Sequence, residues 1–163
     1  METKTTQGYS EILAKLKDIS TLKFFEKKDL QKIFHFSRIT SYKPNDCIIQ
    51  EGSFDNCVYF LMTGKVKIIK QGEEISHLER TGDIFGEMCV IDGCARSATV
   101  IAVEDTSCLA TDVSFIDTLD REDKVAFCAI FYNVLSLVLA ERLRETSKEL
   151  AHLKEVTEGR NGA

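Results

Sequence analysis

The chain has 163 residues, enough for one domain with a real core, and its 44% hydrophobic and 29% charged content is that of an ordinary globular protein. A formal net charge of −5 excludes a nucleic-acid binder driven by a broadly basic surface. No apolar run reads as long enough to span a bilayer, and Met1 to Gln7 lack the apolar core of a signal peptide, so the expected setting is cytoplasmic. The first predicted element is helical. Ile12, Leu13, Leu16 and Ile19 recur at three- and four-residue steps behind Ser10 as a cap, which predicts a helix over 10–18 and then a turn over 22–25. Leu30, Ile33 and Phe34 repeat the pattern over 28–36, with a break near Ser37. Lys23, Lys27, Lys28 and Lys32 are interleaved with Glu26 and Asp29, which reads as a solvated helical face.

At Ile39 the period changes to that of strands. Strands are predicted over 39–43, 47–51, 58–62, Val66–Lys70, 75–78, 99–103 and 107–110. Pro44-Asn45, Gly52, Gly64, Gly72 and Gly82 separate the earlier ones. Short strands set off by single glycines predict an antiparallel β-roll or jelly roll. Six cysteines (Cys47, Cys57, Cys89, Cys94, Cys108 and Cys128) form no Cys-x-x-Cys pair and read as reduced thiols used as small hydrophobes. His35, His77 and His152 are isolated, and Cys89 and Cys94 lack a second pair, so no metal site is expected.

The last third returns to helix. Ser114 is expected to cap a short segment holding Phe115, Ile116 and Leu119, and a longer helix starts near Asp123 and runs toward Glu158. Its first half, with Val125, Phe127, Ile130, Phe131, Val134, Leu135, Val138 and Leu139, is apolar nearly all round and must be covered on more than one side. One side can face the roll. Leu135, Leu139, Leu143, Thr146, Leu150 and Leu153 step by threes and fours as in a two-stranded seam, which predicts a parallel homodimer through this helix. The alternative is a helix folded back on its own domain. The fold class is therefore mainly β with flanking helices: N-terminal helices over 1–37, a roll over 38–112, and a hinge with a long C-terminal helix over 113–158.

The chemistry concentrates in residues 85–99, Phe-Gly-Glu-Met-Cys-Val-Ile-Asp-Gly-Cys-Ala-Arg-Ser-Ala-Thr. Glu87 is an acceptor only and suits a hydroxyl donor. The Arg96 fork suits a phosphate. Gly86 allows close approach of the backbone to a ligand, and one turn of helix over 87–91 would aim its free amides at the same anion.

This stretch resembles the phosphate-binding cassette of the cyclic nucleotide-binding domain family, whose pattern is Phe-Gly-Glu-Leu, a short spacer, then Arg, a small residue and Ala before a strand. The resemblance implies Glu87 on the ribose 2′-hydroxyl. It implies Arg96, Ser97 and the backbone amides near Met88 and Cys89 on the cyclic phosphate, with Gly86 at the turn. Cys89 stands where the family often has Ala, and Ala95 where it often has Pro; neither change removes a polar contact. Tyr59 to Gly64 resembles the family's central hairpin, with Val66 to Ile69 as its return strand, and the likeness extends over 22–150. Residues 141–148 resemble the dimer helix of the catabolite-activator type. That implies Thr146 and Ser147 over the purine, with Ser147 offered across the dimer, and Arg142 or Arg144 stacking on the base. Both hydroxyls can accept from the exocyclic amine of adenine, which favours cAMP over cGMP as the ligand, with no other cofactor.

No nucleophile–base set, P-loop or metal triad is seen, so no catalytic residue is expected. A DNA-binding module is not expected either, since the chain stops at Ala163. The expectation is a stand-alone sensor of a 3′,5′-cyclic purine nucleotide. It would signal by moving its C-terminal helix about a hinge over 114–119, with Met88 linking cassette to hinge, toward an unidentified effector protein or across a homodimer. A helix-mediated interaction module with a vestigial nucleotide pocket is the alternative. Arg96→Ala is expected to weaken binding with folding kept.

Overall fold

The structure, a computed structural model, describes residues 26–161. The helix expected over 10–18 and the turn over 22–25 lie outside the described residues. Helix α1, Lys27–His35, sets Leu30 and Ile33 three residues apart on its buried face. Its end is tied to the sheet by Ser37, whose hydroxyl bonds the Ile33 carbonyl and lies 2.7 Å from the Thr111 hydroxyl.

Eight strands follow: β1 Ser37–Tyr42, β2 Cys47–Ile49, β3 Cys57–Thr63, β4 Val66–Lys70, β5 Glu73–Leu78, β6 Ile84–Phe85, β7 Thr99–Ala102 and β8 Thr106–Asp112. They form two antiparallel four-stranded sheets, in the orders β1-β8-β3-β6 and β2-β7-β4-β5. The alternation of β3 explains why both of its faces are apolar. Val58, Phe60 and Met62 enter a cluster shared with α1 and the C-terminal helix, while Tyr59 and Leu61 enter the roll interior with Val66, Phe85, Val100 and Cys108. At the β3–β4 corner, Gly64 has φ 91°, and a Cβ there would lie 2.6 Å from the Asp105 carbonyl oxygen. Asn45, after the chain's one proline, also takes a left-handed conformation, φ 72°.

After β8 the chain enters a 3-10 helix, Val113–Thr118. Its cap is Asp112, which accepts from the Ser114 amide at 2.9 Å, so the capping role expected of Ser114 belongs to the carboxylate two residues earlier. Helix α2 is a short one inside the cassette, Glu87–Asp92. Helix α3, Arg121–Asn161, starts where Asp120 accepts from the Asp123 amide. Phe127, Phe131, Val134, Leu135 and Val138 bury its first half. Aromatic contacts join the pieces: Phe36 stacks on Phe115 at 4.6 Å, and Phe115 meets Phe127 edge-on at 5.2 Å.

Three expectations change here. Leu135 belongs to the core of its own domain, and the exposed apolar stripe of α3 begins beyond it, with Leu143, Leu150 and Leu153 facing solvent. Helix α3 is long and apolar enough, by length and composition alone, to cross a membrane, contrary to the reading of the sequence; part of that stretch is the domain core just described. Cys89 and Cys108 are buried as expected of small hydrophobes, but Cys47 and Cys94 are exposed; all six thiols are free.

Candidate functional site

The cassette is built on β6. Ile84 and Phe85 pair with Phe60 and Tyr59 of the central strand and are buried. The chain then turns at Gly86, φ 78° and ψ 9°, into α2, which closes at Gly93, whose amide donates to the Cys89 carbonyl at 2.9 Å. At Gly86 a Cβ would lie 2.5 Å from Nη1 of Arg96. Gly86→Ala should therefore lose about 1–2 kcal/mol to backbone strain and also push the guanidinium aside. The expected result is a thermal midpoint several degrees below wild type; an unchanged melting curve would show that the turn tolerates a side chain.

Arg96 is held from all sides, its side chain 2% exposed. Nε donates to Oδ2 of Asp55 at 3.1 Å, and Nη2 donates to Oδ1 of Asp55 and, at 2.6 Å, to the Cys57 carbonyl. Nη1 donates to the Gly86 carbonyl. Four of the five N–H donors of a guanidinium are thus engaged, leaving one on Nη1 for a ligand. Its backbone is fixed too: the Arg96 amide donates to Ser53 and its carbonyl accepts from Gly52. Partial burial alone would raise the Asp55 pKa, but the Arg96 guanidinium and the Cys57 amide outweigh it and hold the carboxyl below its ordinary value.

Glu87, with its side chain also 2% exposed, reaches across to α3. Its Oε1 accepts from Nη1 of Arg142 at 2.6 Å, and Nη2 of Arg142 donates to the Ile84 carbonyl. The long helix is thereby bonded to the carboxylate that the sequence singles out.

A cleft of about 780 Å³ opens between the cassette, the β4–β5 hairpin and α3. Gly86, Glu87, Met88, Cys89, Arg96 and Ser97 all line it, and Thr146 faces it from α3. Ser147 does not line it and is exposed. Met88 is half-exposed, with its sulfur 3.5 Å from the Ser97 hydroxyl, and it does not link the cassette to the hinge. Val90 packs instead against the cluster that contains Val113, Phe115 and Ile116. Arg144 is not on the cleft, and Arg142 is spent on Glu87 rather than open to stack on a base. Asp55, Lys70 and the Arg142–Glu87 bond escaped the reading of the sequence. Asp55-Asn56 carries only the signal of a turn before a strand, and Lys70 that of a strand end.

Chemically, the cleft offers a guanidinium N–H, a hydroxyl, first-turn amides and a lysine ammonium near one end, with a buried carboxylate beside them. That set is complementary to a small molecule carrying both an anion and a hydroxyl. Among the described residues, no group of three or more His, Cys, Asp or Glu side chains converges as a metal site.

Known proteins resemble this chain in sequence and in fold. The family model described as the cyclic nucleotide-binding domain matches residues 39–123. The chain is 33% identical over 134 residues to the cyclic AMP receptor protein of Thermus thermophilus, covering 77% of this chain and 56% of the receptor. It is 35% identical over 102 residues to the cGMP-dependent protein kinase of Toxoplasma gondii, covering 61% of this chain and 10% of the kinase. The chain thus spans little more than half of one relative and a tenth of the other. A cyclic nucleotide-binding domain solved from Methylobacillus flagellatus superposes with a TM-score of 0.70 at 23% identity, over 88% of this chain and 82% of that one, which is a likeness of fold.

Proposed function

The chain belongs to the cyclic nucleotide-binding domain family, and on that premise we propose that it is a cytoplasmic sensor of a 3′,5′-cyclic purine nucleotide, cAMP in preference to cGMP. The observation that carries this reading is the double duty of Glu87, which lines the cleft and also holds Arg142 of α3. A ribose hydroxyl and the helix then meet at one carboxylate. Arg96, Ser97 and the α2 amides near Met88 and Cys89 take the cyclic phosphate in this proposal. Ligand occupancy can move the helix only through different affinities for two states. The shared carboxylate supplies such a difference, because the strength of the Arg142 bond depends on what else Glu87 accepts.

The preference for cAMP rests on Thr146, whose hydroxyl faces the cleft and can accept from an exocyclic amine. The names of the relatives point both ways, one to cyclic AMP and one to cGMP. Leu139, Leu143, Leu150 and Leu153 follow one another at steps of four, seven and three beyond the buried part of α3, which supports a parallel homodimer with Ser147 offered to the partner's ligand. The signal leaves through this helix to an effector protein.

Calorimetric titration of protein stripped of nucleotide by unfolding and refolding tests the reading. Micromolar or tighter binding of cAMP is expected, with weaker binding of cGMP. Thr146→Val should weaken cAMP about fivefold, the worth of one hydrogen bond, and leave cGMP unchanged. Equal losses for both would remove Thr146 from base selection. A second reading, an interaction module with a vestigial pocket, is favoured by one observation: Arg96 and Glu87 already have partners in Asp55 and Arg142. No binding of either nucleotide would leave that reading standing.

A further inference from the structure

Among the described residues, the ion pairs at the cassette end of the cleft differ in how readily they open. Arg96–Asp55 and Arg142–Glu87 each have one side chain only 2% exposed, whereas Lys70 and Glu51 are 42% and 28% exposed. Lys70 ends β4 and lines the cleft together with Ser97. Its ammonium donates to Oε1 of Glu51 at 2.7 Å and to the Ser97 carbonyl at 2.5 Å. It therefore sits one residue from Arg96 in the cassette. An ammonium has three donors on a flexible stem, so one N–H is left over and the whole group can swing. Arg96, in contrast, has one N–H left and cannot swing without leaving Asp55 and two carbonyls unmet. The other basic groups on the cleft, His77 and Arg80, lie toward the far end of β5. Lys70 pairs with Glu73 and Val66 with Leu78, which puts about 13 Å of strand between the two ends.

We infer that Lys70 is a second cationic contact for the phosphate of the bound nucleotide, exchanging Glu51 for a phosphate oxygen as the ligand enters. This rests on the cyclic nucleotide reading above. Glu51 is the competing anion. Its carboxyl is held below its ordinary pKa by Lys70 and the Gln71 amide, so it is charged when a ligand arrives. A monoanionic phosphate at the Ser97 end then replaces one negative partner of the ammonium by another, and the more exposed pair is the one that opens.

The test is the dissociation constant of cAMP, by calorimetry, for the wild type, Lys70→Met, Lys70→Arg and Glu51→Gln. Lys70→Met should raise it about tenfold, as loss of a charge-assisted bond does, and Lys70→Arg should restore most of the affinity. Glu51→Gln removes the competitor and should lower it severalfold. A merely structural brace predicts the opposite sign for Glu51→Gln, because both substitutions would then loosen the same loop. A Lys70→Met constant within twofold of wild type, or equal weakening by Lys70→Met and Glu51→Gln, would overturn the role of Lys70 while leaving the sensor reading intact. A wild type that binds neither cAMP nor cGMP would overturn both.

Discussion

Arg96→Ala is expected to weaken cyclic nucleotide binding about 30-fold or more and to destabilise the domain as well. The affinity loss follows from removing one side of a charge-assisted contact, at about 2–5 kcal/mol. The stability loss follows from the burial of the guanidinium: without it the Gly86 and Cys57 carbonyls and the Asp55 carboxylate lose their donor. Breaking a buried pair costs about 3–5 kcal/mol. Asp55 is 40% exposed and regains water, so about 3 kcal/mol is the expected figure. For a domain of this size that lowers the thermal midpoint by roughly 6–12 °C. The sequence alone suggests that folding is kept; burial of Arg96 among protein acceptors corrects that. Arg96→Lys keeps the charge but cannot serve Asp55, Gly86 and Cys57 together, so it should recover affinity in part and stability little. The pH dependence carries the same signature. Asp55 has a depressed folded pKa, so its stabilising contribution is fully present above the ordinary carboxyl value, 3.8, and is lost as pH falls through the lower folded value. That acid-side slope should be much reduced in Arg96→Ala, which keeps only the Cys57 amide as a donor to Asp55. Unchanged affinity in Arg96→Ala, with the fold intact at the assay temperature, would remove Arg96 from the phosphate site.

Glu87→Gln is the second large effect. It preserves shape and removes the charge that holds Arg142 and that, in the proposed site, accepts the ribose hydroxyl. Binding of cAMP should weaken about 30-fold, in the range for one partner of a buried charged contact. A double-mutant cycle separates the two roles, with 2′-deoxy-cAMP as the second perturbation. If Glu87 accepts the 2′-hydroxyl, the wild type should bind the deoxy ligand poorly and Glu87→Gln should weaken it little further. If the variant loses the same factor with both ligands, Glu87 acts only by holding Arg142 and the ribose assignment fails.

The roll was legible because its punctuation is local. Gly64 and Asn45 mark corners whose backbone demands them, and the apolar run over 58–62 reads as a strand, although the burial of both its faces is seen only in the fold. Strand β6 was not legible, since two residues, Ile84 and Phe85, become a strand only by pairing with Phe60 and Tyr59 far back in the chain. The same division holds at the cleft. Glu87 and Arg96 stand out because the cassette spacing is contiguous. Asp55 does not, and Arg142 stands out only as a stacker on the base and not as the partner of Glu87, because the fold brings these contacts together from 41 and 55 positions away. Leu135 shows a different limit. Steps of three and four describe a helix face without saying what lies opposite it, so a residue of the domain core was read as the start of a dimer seam.

Helix α3 continues to Asn161, about 35 Å beyond Val138, the last of its buried side chains among the described residues. Arg142 is bonded to the cassette one turn past that point. The arm beyond is a lever with a short, bonded base and a long end. A tilt of about 5° at the base sweeps the tip through about 3 Å, the order of one side chain's width. If, as proposed, occupancy of the cleft shifts the Glu87–Arg142 bond, a tilt too small to disturb the roll is magnified at the far end of this helix, and a spectroscopic distance label there would give the largest signal.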